Sequence, residues 1–204
     1  MVDQNTAPYL EVRFHLADGS TEHFIQETEA TARRILDNLR PAQLFKQSRI
    51  MLAGTYSMTA LVPAHITRID FASTDFACWD FPAGLSDVVA VPEEMFREQA
   101  GLDDPTRLQK RGQSRVAGDA FVAFIDVQMR GGEHVYLMIE GAVDLPAERF
   151  QRVQLFLSGA NLHARLPEGG MTILNLANLV RFTAYPGPAE APTDAWTLHH
   201  KQTS

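Results

Sequence analysis

A chain of 204 residues, 45% apolar and 21% charged, can hold one large domain or two small ones and is too apolar for wholesale disorder. Its 18 basic and 25 acidic side chains give a formal charge of −7, which argues against a nucleic-acid-binding surface, since such affinity comes from clustered positive charge. A single cysteine excludes an internal disulfide, no apolar run is long enough to span a bilayer, and Met1-Val2-Asp3-Gln4-Asn5 lacks the regions of a signal peptide, so a cytoplasmic setting is expected.

Taken in chain order, Leu10 to Leu16 alternates Val12, Phe14 and Leu16 with Arg13 and His15, the pattern of a half-buried strand. Asp18-Gly19 is a strong hairpin turn, and Thr21 to Gln26 is the returning strand. Thr28 can cap a helix, with Glu29 suiting the positive end of its dipole. Ala32, Ile35, Leu36 and Leu39 then form one apolar stripe, and Pro41 closes the helix. Arg49 to Ala53 and Ser57 to Val62 make a second hairpin around Gly54. Ile66 to Phe71 is a last strand, with Arg68 and Asp70 on one face and Ile69 and Phe71 on the other.

Beyond a segment spanning 72–120, the same succession returns. Phe121 to Met129 and His134 to Glu140 flank Gly131-Gly132, and Leu145-Pro146 can open a helix, although Arg152 to Leu155 alternates like a strand. Asn161 to Leu166, Met171 to Asn175 and Leu179 to Tyr185 complete the set, with Glu168-Gly169-Gly170 as a turn. Shifting the chain by 113 positions lays Met58–Phe71 on Met171–Ala184 with five of fourteen residues identical and no gap. The expectation is therefore an α+β fold of two β-rich copies. Each has about five strands and one helix in mostly antiparallel arrangement, related by a pseudo-twofold and packed together. The copies span residues 8–71 and 121–185, and 186–204 forms a tail. Each is near the size at which a lone core is marginal, so they are expected to share one.

In the connecting segment, Phe76, Trp79 and Phe81 form an aromatic cluster, read either as a plug between the copies or as a platform for a partner. Glu93 to Ala100 reads as a short helix after Pro92. Arg107, Lys110, Arg111 and Arg115 lie in a run without acidic residues that can contact an anion or stay solvated.

The chemistry-bearing residues do not gather. Cys78 is a candidate nucleophile, but its aromatic neighbours raise a thiol pKa by desolvation and favour an inert side chain. The seven histidines, at 15, 23, 65, 134, 163, 199 and 200, include no helical i, i+4 pair, and His15 and His23 are expected to face each other across the first hairpin. No metal site or cofactor is assigned. Phosphate-cradling loops and a Gly-x-Ser-x-Gly elbow are also missing from the sequence. Arg68 and Arg181 occupy the same place in both copies, in otherwise apolar strands, either to pair with a carboxylate at the seam or to meet a ligand.

The reading that follows is a non-enzymatic binding or regulatory protein that engages another protein or a small ligand at the seam, and it leaves a homodimer open. Its candidate surface is Arg68, Arg181, Phe76, Trp79 and Phe81. The alternatives are a small enzyme using Cys78 and a weak nucleic-acid binder using the 107–115 loop.

Overall fold

The computed structural model describes residues 8–73, 85–104, 120–142 and 158–185, together with Trp196 and Leu198. The aromatic cluster, Cys78, the 107–115 run and the helix expected at Leu145 all lie outside the described residues.

The chain is a mixed α+β structure dominated by one large, mostly antiparallel sheet. Strands β1 (Leu10–Leu16) and β2 (Thr21–Gln26) form the first hairpin. Helix α1 (Glu29–Asn38) follows, with Thr28 at its N-cap; the Thr28 hydroxyl makes no capping bond, and its amide donates instead to Gln26 Oε1 at 2.9 Å. Pro41 ends that helix by starting another. It occupies the first turn of the short α2 (Pro41–Leu44), where a missing amide costs nothing. Strands β3 (Ile50–Ala53) and β4 (Met58–Leu61) form a hairpin of their own. A 3₁₀ turn at Pro63–His65 leads into β5 (Ile66–Ala72).

Next come β6 (Leu85–Val91) and α3 (Glu93–Ala100), the latter stopped by Gly101 at φ +71°. Strands β7 (Ala120–Met129) and β8 (His134–Ala142) make a long hairpin. Strands β9 (Asn161–Arg165) and β10 (Met171–Asn175) make another, and a 3₁₀ turn at Leu176–Asn178 precedes β11 (Leu179–Tyr185). The nine-stranded sheet runs β11-β7-β8-β6-β9-β10-β5-β1-β2, while β3 and β4 stand apart as a two-stranded sheet. Every neighbouring pair is antiparallel except β6 with β9.

The 113-residue spacing recurs in the pairing. Leu10 lies opposite Gln26 and Ala123 opposite Ile139; Arg13 lies opposite Asp70 and Asp126 opposite Thr183. Both β1–β5 and β7–β11 shift register at the corresponding end. There, the Ala17 amide donates to the His65 carbonyl at 2.8 Å and the Arg130 amide to the Asn178 carbonyl at 2.8 Å. The second hairpins differ: Ala53 meets Met58, whereas Arg165 meets Met171 around a loop one residue longer.

Two main cores form. One joins Leu10, Phe14, Ile69 and Phe71 to Ala32 and Leu39 of the α1 region, and takes Ile173 from β10. The other joins Val88, Ile125, Val127, Leu137 and Leu162, and takes Leu174 from the same strand. Adjacent residues of a strand point to opposite faces, so β10 serves both cores at once. A smaller cluster packs Phe96 of α3 on Phe124 and Tyr136.

Strand β6 was not expected. It lies inside the sheet, and its Val88-Val89-Ala90-Val91 run fits a strand covered on both faces. Asp87 and Arg165 clamp it to β9 through a two-pronged ion pair, with Arg165 Nε donating to Asp87 Oδ1 at 2.8 Å. That bond and charge hold the Asp87 carboxyl below its ordinary value.

Candidate functional site

All five buried polar or charged side chains among the described residues lie along one line: Thr67 and Asp70 on β5, Thr172 and Asn175 on β10, and Asn178 in the following 3₁₀ turn. That line is the seam where residues 10–72 meet residues 161–185. Polar groups are not buried cheaply, so their concentration there marks the seam as the chemically distinct part of the molecule.

Backbone pairing forms the centre of the seam. Strands β10 and β5 align Met171 with Phe71, Thr172 with Asp70, Ile173 with Ile69 and Leu174 with Arg68. Gly170, at φ +95°, lets the β9–β10 turn settle on β5; a Cβ there would collide with the Phe71 carbonyl. Gly131 has the same role where the two long hairpins touch, since its Cβ would lie 2.7 Å from the Ala17 carbonyl oxygen. Both glycines read from sequence as ordinary turn residues, yet each is also a point of close approach between distant segments. Asn175 Nδ2 donates to the carbonyls of Pro63 at 3.1 Å and Ile66 at 2.9 Å. Asn178 Nδ2 donates to Ala64 at 3.2 Å and Ile66 at 2.9 Å, so two asparagines tie down the first 3₁₀ turn.

The charged cluster gathers around Arg68. Its Nε lies 3.3 Å from Asp70 Oδ1, and its Nη2 lies 3.1 Å from Glu133 Oε1 in the β7–β8 turn. Asp70 Oδ2 lies 3.0 Å from His15 Nε2, and the ring's other nitrogen, Nδ1, faces away from that carboxylate. Arg68 Nη2 at 3.2 Å and Thr21 Oγ1 at 3.3 Å both reach that Nδ1. Thr67 Oγ1 lies 3.0 Å from the His15 carbonyl and 3.2 Å from Glu133 Oε2. Nearby, Arg13 Nη2 donates to Glu168 Oε1 at 2.8 Å, a second ion pair across the seam.

Burial pushes the Asp70 carboxyl upward, but the His15 hydrogen bond, the Arg68 charge and Thr172 together outweigh it and hold the group below its ordinary value. Thr172 contributes from directly across the ladder, although its hydroxyl makes no well-formed hydrogen bond.

A hydroxyl, an imidazole and a buried carboxylate thus stand in sequence at Thr21, His15 and Asp70. The guanidinium of Arg68 lies against both ring nitrogens, and Glu133 closes the remaining side at 3.4 Å from Nδ1. Both nitrogens are engaged within the cluster. The arrangement locks a cation and two carboxylates together across the seam.

The place corresponding to Arg68 in the other half is built differently. Arg181 on β11 is 57% exposed, and its Nη2 comes no closer than 3.8 Å to Asp126 Oδ2. Asp126 is held instead by His134 Nδ1 at 2.7 Å. His15 and His23 do not pair across their hairpin: Thr21 faces His15, Arg13 faces His23, and His23 reaches Glu11 at 3.2 Å. Of the two arginines singled out from the sequence, Arg68 lies in this cluster and Arg181 lies outside it; Asp70, Glu133, Asn175 and Asn178 were not among the residues singled out. Asp70, two positions from Arg68 in an apolar strand, was the available signal. Among the described residues no group of three or more His, Cys, Asp or Glu is arranged to hold a metal ion, and no helix is long and apolar enough to cross a membrane.

Comparison with protein-family models, with curated proteins and with solved structures returns no match.

Proposed function

We propose that the chain is a fused pair of copies of one β-rich module, and that it works as a non-enzymatic binding protein through an exposed protein surface. The common order of the strands and the recurring registers support the duplication. The seam cluster is, in this reading, a structural lock: its charges are matched inside it, which leaves Arg181 rather than Arg68 to meet an acidic partner group.

The observation that carries the binding reading is where large apolar side chains remain in solvent. Met51 at 52%, Tyr56 at 100%, Met58 at 74% and Val62 at 39% exposure all belong to the β3–β4 hairpin or its immediate exit. Val180 at 62% and Phe182 at 38% belong to β11. Clustered exposure of this kind, on strands whose outer edges are unpaired among the described residues, marks a surface that meets protein.

The test places a photoreactive amino acid at Tyr56, at Val180 and, as a control on the opposite sheet edge, at Glu22. Irradiation in the producing cell is expected to give discrete adducts from the first two positions and none from the third. Adducts from none of them, or equally from all three, contradict the reading.

A further inference from the structure

Strand β5 is covered on both sides, by β1 and by β10. Strand β11 follows an equivalent 3₁₀ turn and pairs with β7 just as β5 pairs with β1, but among the described residues nothing pairs with its other edge. Strand β4 corresponds to β10, pairs with β3 alone, and likewise has an open edge among the described residues. The molecule thus contains one completed joint, β10 on β5, and both halves of a second one left apart.

The completed joint supplies the register for the missing one. Carrying the β10–β5 pairs through the 113-residue spacing sets Met58 opposite Ala184, Thr59 opposite Thr183, Ala60 opposite Phe182 and Leu61 opposite Arg181. Side-chain alternation then places Met58 and Ala60 on the same face as Ala184 and Phe182. Two of these four, Met58 and Phe182, are large apolar groups left in solvent at 74% and 38% exposure, and Val62 and Val180, at 39% and 62%, lie just beyond the paired stretch. The counterparts of the four in the completed joint, Met171, Ile173, Phe71 and Ile69, are at most 4% exposed. The register comes from the backbone and the matching stripes from side-chain exposure, and the two agree. The turn differs: Ser57 stands where Gly170 makes its close approach, so pairing on this side starts at Met58.

We infer that β4 of one molecule pairs antiparallel with β11 of a second copy of this chain, in the register that β10 and β5 use within the chain. This rests on the binding-protein reading above and names its partner. Such a joint uses different surfaces on its two sides, so it builds a filament or a closed ring, whose smallest form is a dimer joined twice. The amides and carbonyls of both edges, unpaired among the described residues, supply the ladder, and the apolar side chains supply the burial.

The experiment uses the full chain with Cys78 replaced by serine, in two single variants, Thr59→Cys and Thr183→Cys, mixed and oxidised. A disulfide joining residue 59 of one chain to residue 183 of another is expected, and it is expected to be much weaker when Phe182→Cys replaces Thr183→Cys. The double variant is expected to give doubly linked dimers or a ladder of linked chains; a monomer lighter by the two thiol hydrogens would mean that the chain closes on itself, and would overturn the inference. In parallel, sedimentation equilibrium of the unmodified protein is expected to show concentration-dependent association, weakened on the order of tenfold or more by Phe182→Lys, which puts an unpaired charge into the joint. An unmodified protein that stays monomeric at every concentration, with no 59–183 link, overturns the inference. If photoadducts from Tyr56 and Val180 to other proteins persist in that case, the binding reading stands and only the choice of partner fails.

Discussion

β5 and β11 follow matching 3₁₀ turns, and each carries an arginine in its third position, yet one is interior and the other is an edge. Among the described residues Ile66–Ala72 has two neighbouring strands and five buried residues, whereas Leu179–Tyr185 has one neighbouring strand and no buried residue. The arginines follow suit. Arg68 is 17% exposed and pairs with Asp70 on its own strand and with Glu133, whereas Arg181, with Thr183 where Asp70 would be, lies 57% in solvent. A strand enclosed on both edges can keep a cation only with a carboxylate beside it, because an unpaired buried charge costs several kcal/mol. An edge strand imposes no such demand.

The largest effect should separate two glycines of similar backbone. Gly170→Ala drives a Cβ into the Phe71 carbonyl and is expected to cost about 4 kcal/mol in urea unfolding. Gly132→Ala, at φ +88° with nothing within 4 Å, should cost only about 1 kcal/mol. Equal losses would mean that the β9–β10 turn does not rest on β5.

Next, Ile173→Ala removes a wholly buried side chain from the completed joint and should cost about 3 kcal/mol. Met58→Ala, at the corresponding edge, should change monomer stability by no more than about 0.5 kcal/mol.

Somewhat smaller is the contrast between carboxylates. Asp70→Asn leaves Arg68 with Glu133 alone and should cost about 2–3 kcal/mol, below the range for fully buried pairs because Arg68 retains some solvent. Asp126→Asn, whose arginine is mostly exposed, should cost less than about 1 kcal/mol.

The finest test is pH. Asp70 is held below its ordinary value in the folded state, so its contribution is present above the unfolded value near about 3.9 and is lost as pH falls through the folded value. The stability gap between wild type and Asp70→Asn should therefore shrink progressively below about pH 4. A gap unchanged in acid would mean that Asp70 is not held as the anion. Asp18 and Asp87 are also held low, but they are common to both proteins and cancel in the difference.

The strands were legible because nearly all of them alternate or sit between glycine turns; Leu10–Leu16, Thr21–Gln26 and Leu179–Tyr185 have the bounds their periodicity suggests. What periodicity does not encode is which strand neighbours which. That is why β6 was missed between β8 and β9, and why Gly131 and Gly170 read as plain turn residues. The site was legible at Arg68, an arginine in an apolar strand, but not at Asn175 or Asn178. Their partners are backbone carbonyls more than a hundred residues away, and carbonyls have no sequence signature.

The most direct measurement is amide hydrogen exchange of the unmodified protein as a function of its concentration. Amides of residues 58–62 and 179–185 should slow together as concentration rises, while those of β2, the other edge of the sheet, stay unchanged. Exchange at β4 and β11 that is the same at every concentration would contradict strand pairing between copies.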